Sequence, residues 1–209
     1  MKKLILGIDE AGRGPVIGPM IICGVVVEER VVSELARIGV RDSKLLSPEK
    51  RERLKSLIEE RAMRWEFVEI TPSEIDRYGI SLPQIKGICY LIDKLCPHVV
   101  FIDAPTSNPA SYKRKLKALL KEKKIELVVE NFADRKYSIV SAASIMAKVE
   151  RDKHIKALSL KYGDIGSGYP SDKRTIEFLK KCMREKRKFP EIVRKRWKTV
   201  KVISRELRE

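Results

Sequence analysis

Apolar and polar positions follow two rhythms along this chain, unbroken runs and helical spacing. Leu4–Ile8 is an almost wholly apolar run that ends abruptly at Asp9 and Glu10, which predicts a buried strand carrying carboxylates at its end. Pro19–Val27 (PMIICGVVV) predicts a second strand, in which Gly24 marks a bulge or a close contact. The gap between them holds Gly12, Gly14, Pro15 and Gly18 and suits an antiparallel, hairpin-like return. A short helix is expected around residues 31–38. Ser47-Pro48 starts another, with Ser at the cap and Pro at the first helical position; Leu54, Leu57, Ile58 and Ala62 mark its apolar face. From Trp65 to Val68 the alternation is that of a half-exposed strand, expected to run on to Ile70.

Two capping boxes follow, Thr71-Pro72-Ser73-Glu74 and Ser81-Leu82-Pro83-Gln84. The helix after the second has Ile85, Ile88, Cys89, Ile92 and Leu95 at helical spacing and stops before Pro97. Val99–Ile102 is a short apolar strand ending at Asp103. A loop rich in Pro, Ser and Asn then leads to a helix carrying Leu116, Leu119 and Leu120. Ile125–Val129 makes another strand, after which Asn131-Phe132-Ala133-Asp134 opens a long helix reaching about Tyr162. Strands separated by helices in this half indicate parallel βα units. Gly166-Ser167-Gly168-Tyr169-Pro170-Ser171 reads as a loop or hinge, and Asp172–Glu209 as helical. The expectation is a mixed α/β domain over residues 1–170 with a small basic helical appendage over 171–209.

At 209 residues the chain can bury one substantial core. Its 45 Lys+Arg against 29 Asp+Glu leave a net charge of +16, which favours polyanionic partners, nucleic acid before anionic membrane. The last 38 residues hold 15 Lys+Arg against 6 Asp+Glu, a net +9. Those cations would contact phosphates, with Phe189 and Trp197 placed to pack the segment onto the main domain. No apolar run approaches a membrane span, and no signal-peptide pattern opens the chain, so a cytoplasmic protein with no membrane partner is expected. Cys23, Cys89, Cys96 and Cys182 form no Cys-x-x-Cys pair, which argues against a disulfide framework or zinc site. Cys89 and Cys96, seven apart, are expected to share a buried helical face. The two histidines, His98 and His154, lie near no nucleophile, so any catalysis rests on carboxylates.

Asp103 stands to its strand as Asp9 does to the first, and Asp134 follows a third apolar strand. If these strands are parallel neighbours, Asp9, Glu10, Asp103 and Asp134 converge at one sheet edge, where α/β proteins place their active sites. Carboxylates so gathered repel one another unless cations lie between them. An all-oxygen set suits Mg²⁺ or Mn²⁺, and two such ions can assist hydrolysis of a phosphodiester. Each residue also has a plainer reading: Asp9 and Glu10 as a solvated turn, Asp103 as a turn residue, Asp134 as a helix cap. The glycines do not form a dinucleotide fingerprint, since GxGxxG is absent and a strand follows.

Gly7-Ile8-Asp9-Glu10-Ala11-Gly12-Arg13-Gly14-Pro15, Asp42-Ser43-Lys44-Leu45-Leu46-Ser47, Ile102-Asp103, the stretch from Ser141 to Asp152, and Gly166–Asp172 together resemble ribonuclease HII, the type 2 ribonuclease H. The resemblance spans essentially the whole chain and is nearest to the archaeal, single-subunit branch. It implies a five-stranded mixed sheet flanked by helices. It also implies an endonuclease that cuts the RNA strand of RNA–DNA hybrids and cuts at ribonucleotides embedded in duplex DNA, leaving 3′-hydroxyl and 5′-phosphate ends. Asp9, Glu10, Asp103 and Asp134 match the family's metal-binding positions, for two divalent ions. Gly12, Arg13 and Gly14 match the loop that meets the ribonucleotide and its 2′-hydroxyl, the group that separates RNA from DNA. Tyr169 matches the tyrosine that packs on the following sugar at the RNA-to-DNA junction; beside Pro170 it also reads as an aromatic plug. Lys44 and Lys148 are candidate phosphate contacts, and Ser141 and Lys148, seven apart, share a helix face. A monomer is expected, and no sliding-clamp docking motif is visible.

Two other readings account for part of this pattern. A junction resolvase-like nuclease would use similar carboxylates but has no use for Gly12-Arg13-Gly14 with Tyr169. A non-catalytic basic nucleic-acid-binding protein would account for the charge but not for acids at three strand ends.

Overall fold

The first eleven residues enter the middle of a sheet. In the computed structural model, which describes residues 2–40, 46–122 and 124–207, β1 (Leu4–Ala11) pairs antiparallel with β2 (Met20–Glu28), with Ile8 opposite Gly24. On its other side β1 runs parallel to β4 (Val99–Asp103), and β4 runs parallel to β5 (Glu126–Glu130). With β3 (Arg64–Ile70) at the far edge the order is β3-β2-β1-β4-β5, a five-stranded mixed sheet. The uninterrupted register through Gly24 means no bulge there. Its hydrogen is instead needed for close approach, because a Cβ would sit 2.9 Å from Leu95 and 3.2 Å from Leu6.

Helices cover both faces of this sheet. After a 3-10 turn at Glu29–Val31 come α1 (Val32–Arg37) and α2 (Pro48–Arg61), whose N-cap is Ser47 with Pro48 at the first turn. Leu35, Leu54 and Ile58 from these helices join Ile5, Cys23, Val25 and Val99 in one core. The helix α7 (Ser138–Tyr162) crosses that same face so closely that a Cβ on Gly7 would lie 2.2 Å from the Ile139 carbonyl oxygen. The opposite face carries α4 (Ser81–Leu95), whose Leu91 and Leu95 approach Gly24 and whose Gly87 rests on Ile22 and Val68. Between β4 and β5 lies α5 (Pro109–Leu119).

The chain divides into two compact units. The first comprises residues 1–11, 21–68 and 84–149; the second comprises 12–20, 69–83 and 150–209. The second unit contains α3 (Pro72–Tyr78), α8 (Lys173–Lys186), α9 (Lys198–Glu206) and the distal part of α7. Its core joins Val16 and Ile17 with Ile165, Leu179, Met183, Ile192, Val193, Val200 and Ile203, with Phe189 and Trp197 packed against it.

Several local expectations fail for physical reasons. The long helix from residue 131 is broken: α6 (Ala133–Lys136) ends at an extended Tyr137 before α7 begins. Ser81 is the first residue of α4 rather than a cap outside it, and Gln84 is buried. Cys96 falls beyond α4 with φ +47° and is exposed, so it does not share the buried face of Cys89; a residue before proline is disfavoured in helical conformation. Leu119 points to solvent while Leu116 and Leu120 take the core positions. Residues 187–197 separate α8 and α9, so the tail is not helical throughout. The Thr71–Glu74 capping box, by contrast, forms in full.

Candidate active site

Side chains alternate along a strand, so Asp9 shares with Ile5 and Gly7 the face that α7 covers, and Glu10 points the other way. Asp9 is 6% exposed, accepts the Glu10 backbone N–H at 2.7 Å and is hydrogen-bonded by Ser144 of α7. Those bonds favour its ionised form, but they are outweighed. Burial, then the neighbouring Glu10, pushes its carboxyl well above the usual range, and Asp103 adds to the effect. Asp103 ends β4, the parallel neighbour of β1, and its Oδ1 accepts the Ala133 N–H at 2.8 Å.

That bond ties Asp103 to the turn that carries Asp134. Phe132 adopts a left-handed conformation, φ +59°, which turns the chain from β5 into α6. Asp134 then sits in the first turn of α6, 3% exposed, and is not the N-cap. Lys148 is half-buried on α7, one turn beyond Ser144 and so on the same helix face as the Asp9 partner. Glu130, a further strand-end carboxylate, is engaged elsewhere: Lys136 (2.7 Å) and the Tyr137 hydroxyl (3.2 Å) hold it below the usual range. Lys44 lies outside the described residues.

The donor set Asp9, Glu10, Asp103 and Asp134 offers only carboxylate oxygens, which fit hard divalent cations. Among the described residues no three His, Cys, Asp or Glu already stand grouped to hold a metal ion. The fit therefore rests on charge and chemistry. A buried carboxylate pressed by two others needs a proton or a cation.

Gly12, Arg13, Gly14 and Tyr169 come together within the second unit. Gly12 has φ +88°, and a Cβ there would lie 2.6 Å from Arg151 Cδ and Nε and 2.7 Å from the Pro19 carbonyl oxygen, so both its conformation and its surroundings demand glycine. The position of a Gly14 Cβ lies 3.7 Å from the Tyr169 ring. That ring is 37% exposed, with the Arg151 guanidinium 5.2 Å from its centroid. Tyr169 is thus a half-open surface backed by a cation, not a plug. Arg151 is itself 1% exposed and donates to the Ser167 carbonyl at 3.1 Å. Sequence reading missed the roles of Ser144 and Arg151. Both lie inside the quoted Ser141–Asp152 stretch, where Ser144 falls in the apolar run Ala142–Ala147 and gave a signal, whereas Arg151, between Glu150 and Asp152, reads as one more solvated charge.

No helix among the described residues is long and apolar enough to cross a membrane. The family profile for ribonuclease HII matches residues 6–200. The ribonuclease HII of Thermococcus onnurineus is 45% identical over 97% of this chain and 91% of its own length. The crystal structure of ribonuclease H2 from Pyrococcus horikoshii superposes with a TM-score of 0.92 at 40% identity, covering 99% of both chains. The ribonuclease HII in a complex with PCNA from Archaeoglobus fulgidus superposes at 0.85 and 39% identity, covering 95% of this chain and 96% of that one.

Proposed function

The chain belongs to the ribonuclease HII family, and on that premise we propose that it hydrolyses the RNA strand of RNA–DNA hybrids and also cuts at ribonucleotides embedded in duplex DNA, leaving 3′-hydroxyl and 5′-phosphate ends. Family membership makes it an endoribonuclease, which sets aside the non-catalytic and resolvase-like readings. The observation that carries the finer reading is the buried Asp9, beside Glu10 and next to Asp103 on the neighbouring parallel strand.

In this reading Asp9, Glu10, Asp103 and Asp134 hold divalent cations, Mg²⁺ or Mn²⁺. Bound there, such ions supply Lewis-acid stabilisation of charge developing on the phosphate and lower the proton affinity of the attacking water. The protein's own work is positional. Ser144 and the Glu10 N–H orient Asp9, and the Ala133 N–H orients Asp103. Gly12-Arg13-Gly14 offers backbone, unobstructed by side chains at its two glycines, to the ribose bearing the 2′-hydroxyl. Tyr169 packs on the next sugar, and Lys44 and Lys148 take phosphates without reading sequence. Residues 1–170 thus supply the chemistry and 171–209 added cationic surface for the duplex, in a protein that works as a monomer.

The test is a duplex DNA carrying one ribonucleotide, incubated with each metal or with excess chelator, the cut being mapped. Cleavage should need the metal, and Asp103→Asn should lower it roughly a hundredfold or more, beyond what loss of a mere ligand-orienting contact costs, while hybrid binding persists. Near wild-type cutting by that variant, or in chelator, sinks the metal reading.

A further inference from the structure

Arg194 lies in a run of cations, Arg194-Lys195-Arg196-Trp197-Lys198, yet it is 0% exposed. Among the described residues no carboxylate pairs with its guanidinium. It donates from Nη2 to the Gly12 carbonyl at 2.6 Å, from Nη1 to the Arg13 carbonyl at 3.1 Å and from Nε to the Gly18 carbonyl at 2.9 Å. Trp197 Nε1 donates to the Gly14 carbonyl at 3.0 Å, and the Arg194 guanidinium lies 5.1 Å from the Trp197 ring centroid. Three consecutive loop carbonyls, 12 to 14, are therefore each bound by a side chain from residues 194–197.

The same segment is anchored on both sides. Its backbone meets the loop's continuation through the Arg194 N–H to the Val16 carbonyl at 2.8 Å and an antiparallel bridge between Ile17 and Val193. Asp76 accepts the Lys195 and Arg196 N–H groups at 2.9 and 3.1 Å. Burial, then the nearby Arg151, weakens the Arg194 guanidinium's hold on its proton, and Tyr169 and Asp76 oppose that; the three carbonyls satisfy its buried N–H donors.

The geometry has a consequence for the loop's outer side. Among the described residues no peptide is cis. In a planar trans peptide the carbonyl and the next residue's N–H point in opposite directions. With the Gly12 and Arg13 carbonyls turned to Arg194, the Arg13 and Gly14 N–H groups are directed away from it, together. Two adjacent backbone donors set this way make a concavity for an oxygen of a sugar or phosphate. We propose that Arg194 and Trp197 are positioning residues for ribonucleotide recognition: Arg194 holds the carbonyls of Gly12 and Arg13 inward so that the N–H groups of Arg13 and Gly14 face the ribose, and Trp197 fixes the end of the loop at the Gly14 carbonyl, whose peptide joins Pro15 and carries no N–H. This rests on the reading of that loop as the ribonucleotide contact.

The guanidinium fork is what makes this arrangement possible. Arg presents donors spread across a rigid plane, whereas a lysine ammonium is a compact point that cannot span three carbonyls. Trp197→Phe removes one donor and keeps an aromatic ring. The experiment compares full-length wild type, Arg194→Lys, Trp197→Phe, Gly14→Ala and Met183→Ala. Each is measured for melting and for kcat and KM on two substrates, a duplex with one ribonucleotide and a continuous RNA–DNA hybrid. A single embedded ribonucleotide has one 2′-hydroxyl to place; a hybrid offers many. Arg194→Lys should lower kcat/KM for the single ribonucleotide relative to the hybrid by about tenfold, the scale of a sub-ångström loss of registration, with Trp197→Phe in the same direction. Met183→Ala, a core truncation in the same unit, should lower melting and leave that ratio alone. If Gly14→Ala shifts the ratio while Arg194→Lys and Trp197→Phe do not, the positioning role is refuted and the loop reading stands. An unchanged ratio in Gly14→Ala refutes the loop reading itself. Should Arg194→Lys fail to fold, Trp197→Phe decides the matter alone.

Discussion

Gly7→Ala is the sharpest single-atom test of how the sheet and α7 set the site. The added Cβ would lie 2.2 Å from the Ile139 carbonyl oxygen, 2.5 Å from its carbon and 2.9 Å from Ile139 Cγ1. Two of those three atoms are backbone, so no rotamer change relieves them. Reaching the 3.4 Å at which ordinary contact begins requires α7 to withdraw by about 1.2 Å. Overpacking of this kind costs roughly 1–3 kcal/mol, and a clash with backbone belongs at the upper end. Replacing a strand glycine recovers about 0.5–1 kcal/mol of chain entropy. The net is a loss of about 2 kcal/mol, or a fall in melting temperature of about 4–8 °C for a chain of this length. The same displacement draws Ser144 away from Asp9, two residues along on the same strand face, and misplacement by about 1 Å can cost on the order of a hundredfold in rate. Calorimetry alongside single-turnover cleavage measures both. A variant melting within about 1 °C of wild type and cutting at its rate would show that α7 does not hold the carboxylates.

Tyr169→Ala should depress cutting at a single ribonucleotide more than cutting within a long hybrid, because only the former always presents the RNA-to-DNA junction; equal losses reduce Tyr169 to a packing residue. Replacing Lys186, Arg187 and Lys188, all exposed, by Gln should flatten the dependence of log binding constant on log salt by up to ~0.9 for each phosphate no longer neutralised, the value for B-form DNA, without moving the cut; an unchanged slope assigns this stretch to solvent. Asp172 caps α8, and hydrogen bonds from Ser167 and Arg174 hold its carboxyl below the ordinary 3.8. Because the folded value is the lower one, its stabilisation is complete above the unfolded value and fades as pH falls below it. Asp172→Asn should therefore lower stability at neutral pH and narrow its gap to wild type in acid, and a gap constant with pH refutes the assignment.

The carboxylates were legible because burial and chemistry coincide at strand ends. Leu4–Ile8 and Val99–Ile102 are apolar because β1 and β4 are covered on both faces, and each run stops where the β1–β4 pairing ends, at Asp9 and Asp103; β1 itself does not end there, contrary to the sequence expectation, but stays paired with β2 through Ala11. Periodicity was a poorer guide wherever one residue decided the outcome. Nothing in Asn131–Tyr162 forbids a continuous helix, as it contains neither Gly nor Pro. The break is made by tertiary placement, with Phe132 forced left-handed and Tyr137 extended while the Ala133 N–H reaches Asp103. At Cys96 the signal was present: the following Pro97 disfavours helix one residue earlier than heptad spacing implies.

Charge counting was least discriminating in the tail. Arg194 sits among cations that face solvent, and net charge treats it as one more contact for phosphate. Its burial against three carbonyls assigns it to the loop at residues 12–18, between 176 and 182 positions earlier in the chain. The same holds for Arg151, which is engaged by Ser167, Tyr169 and the space that Gly12 leaves open. The long-range field depends on charge whatever its burial, but counterion release depends on cations that can touch a phosphate. Two of the most informative arginines in this protein therefore add to its attraction for a duplex without adding to the salt dependence of its grip. On the positioning proposal, losing Arg194 would show first in the preference for a single embedded ribonucleotide over a continuous hybrid, and only second in how tightly the duplex is held.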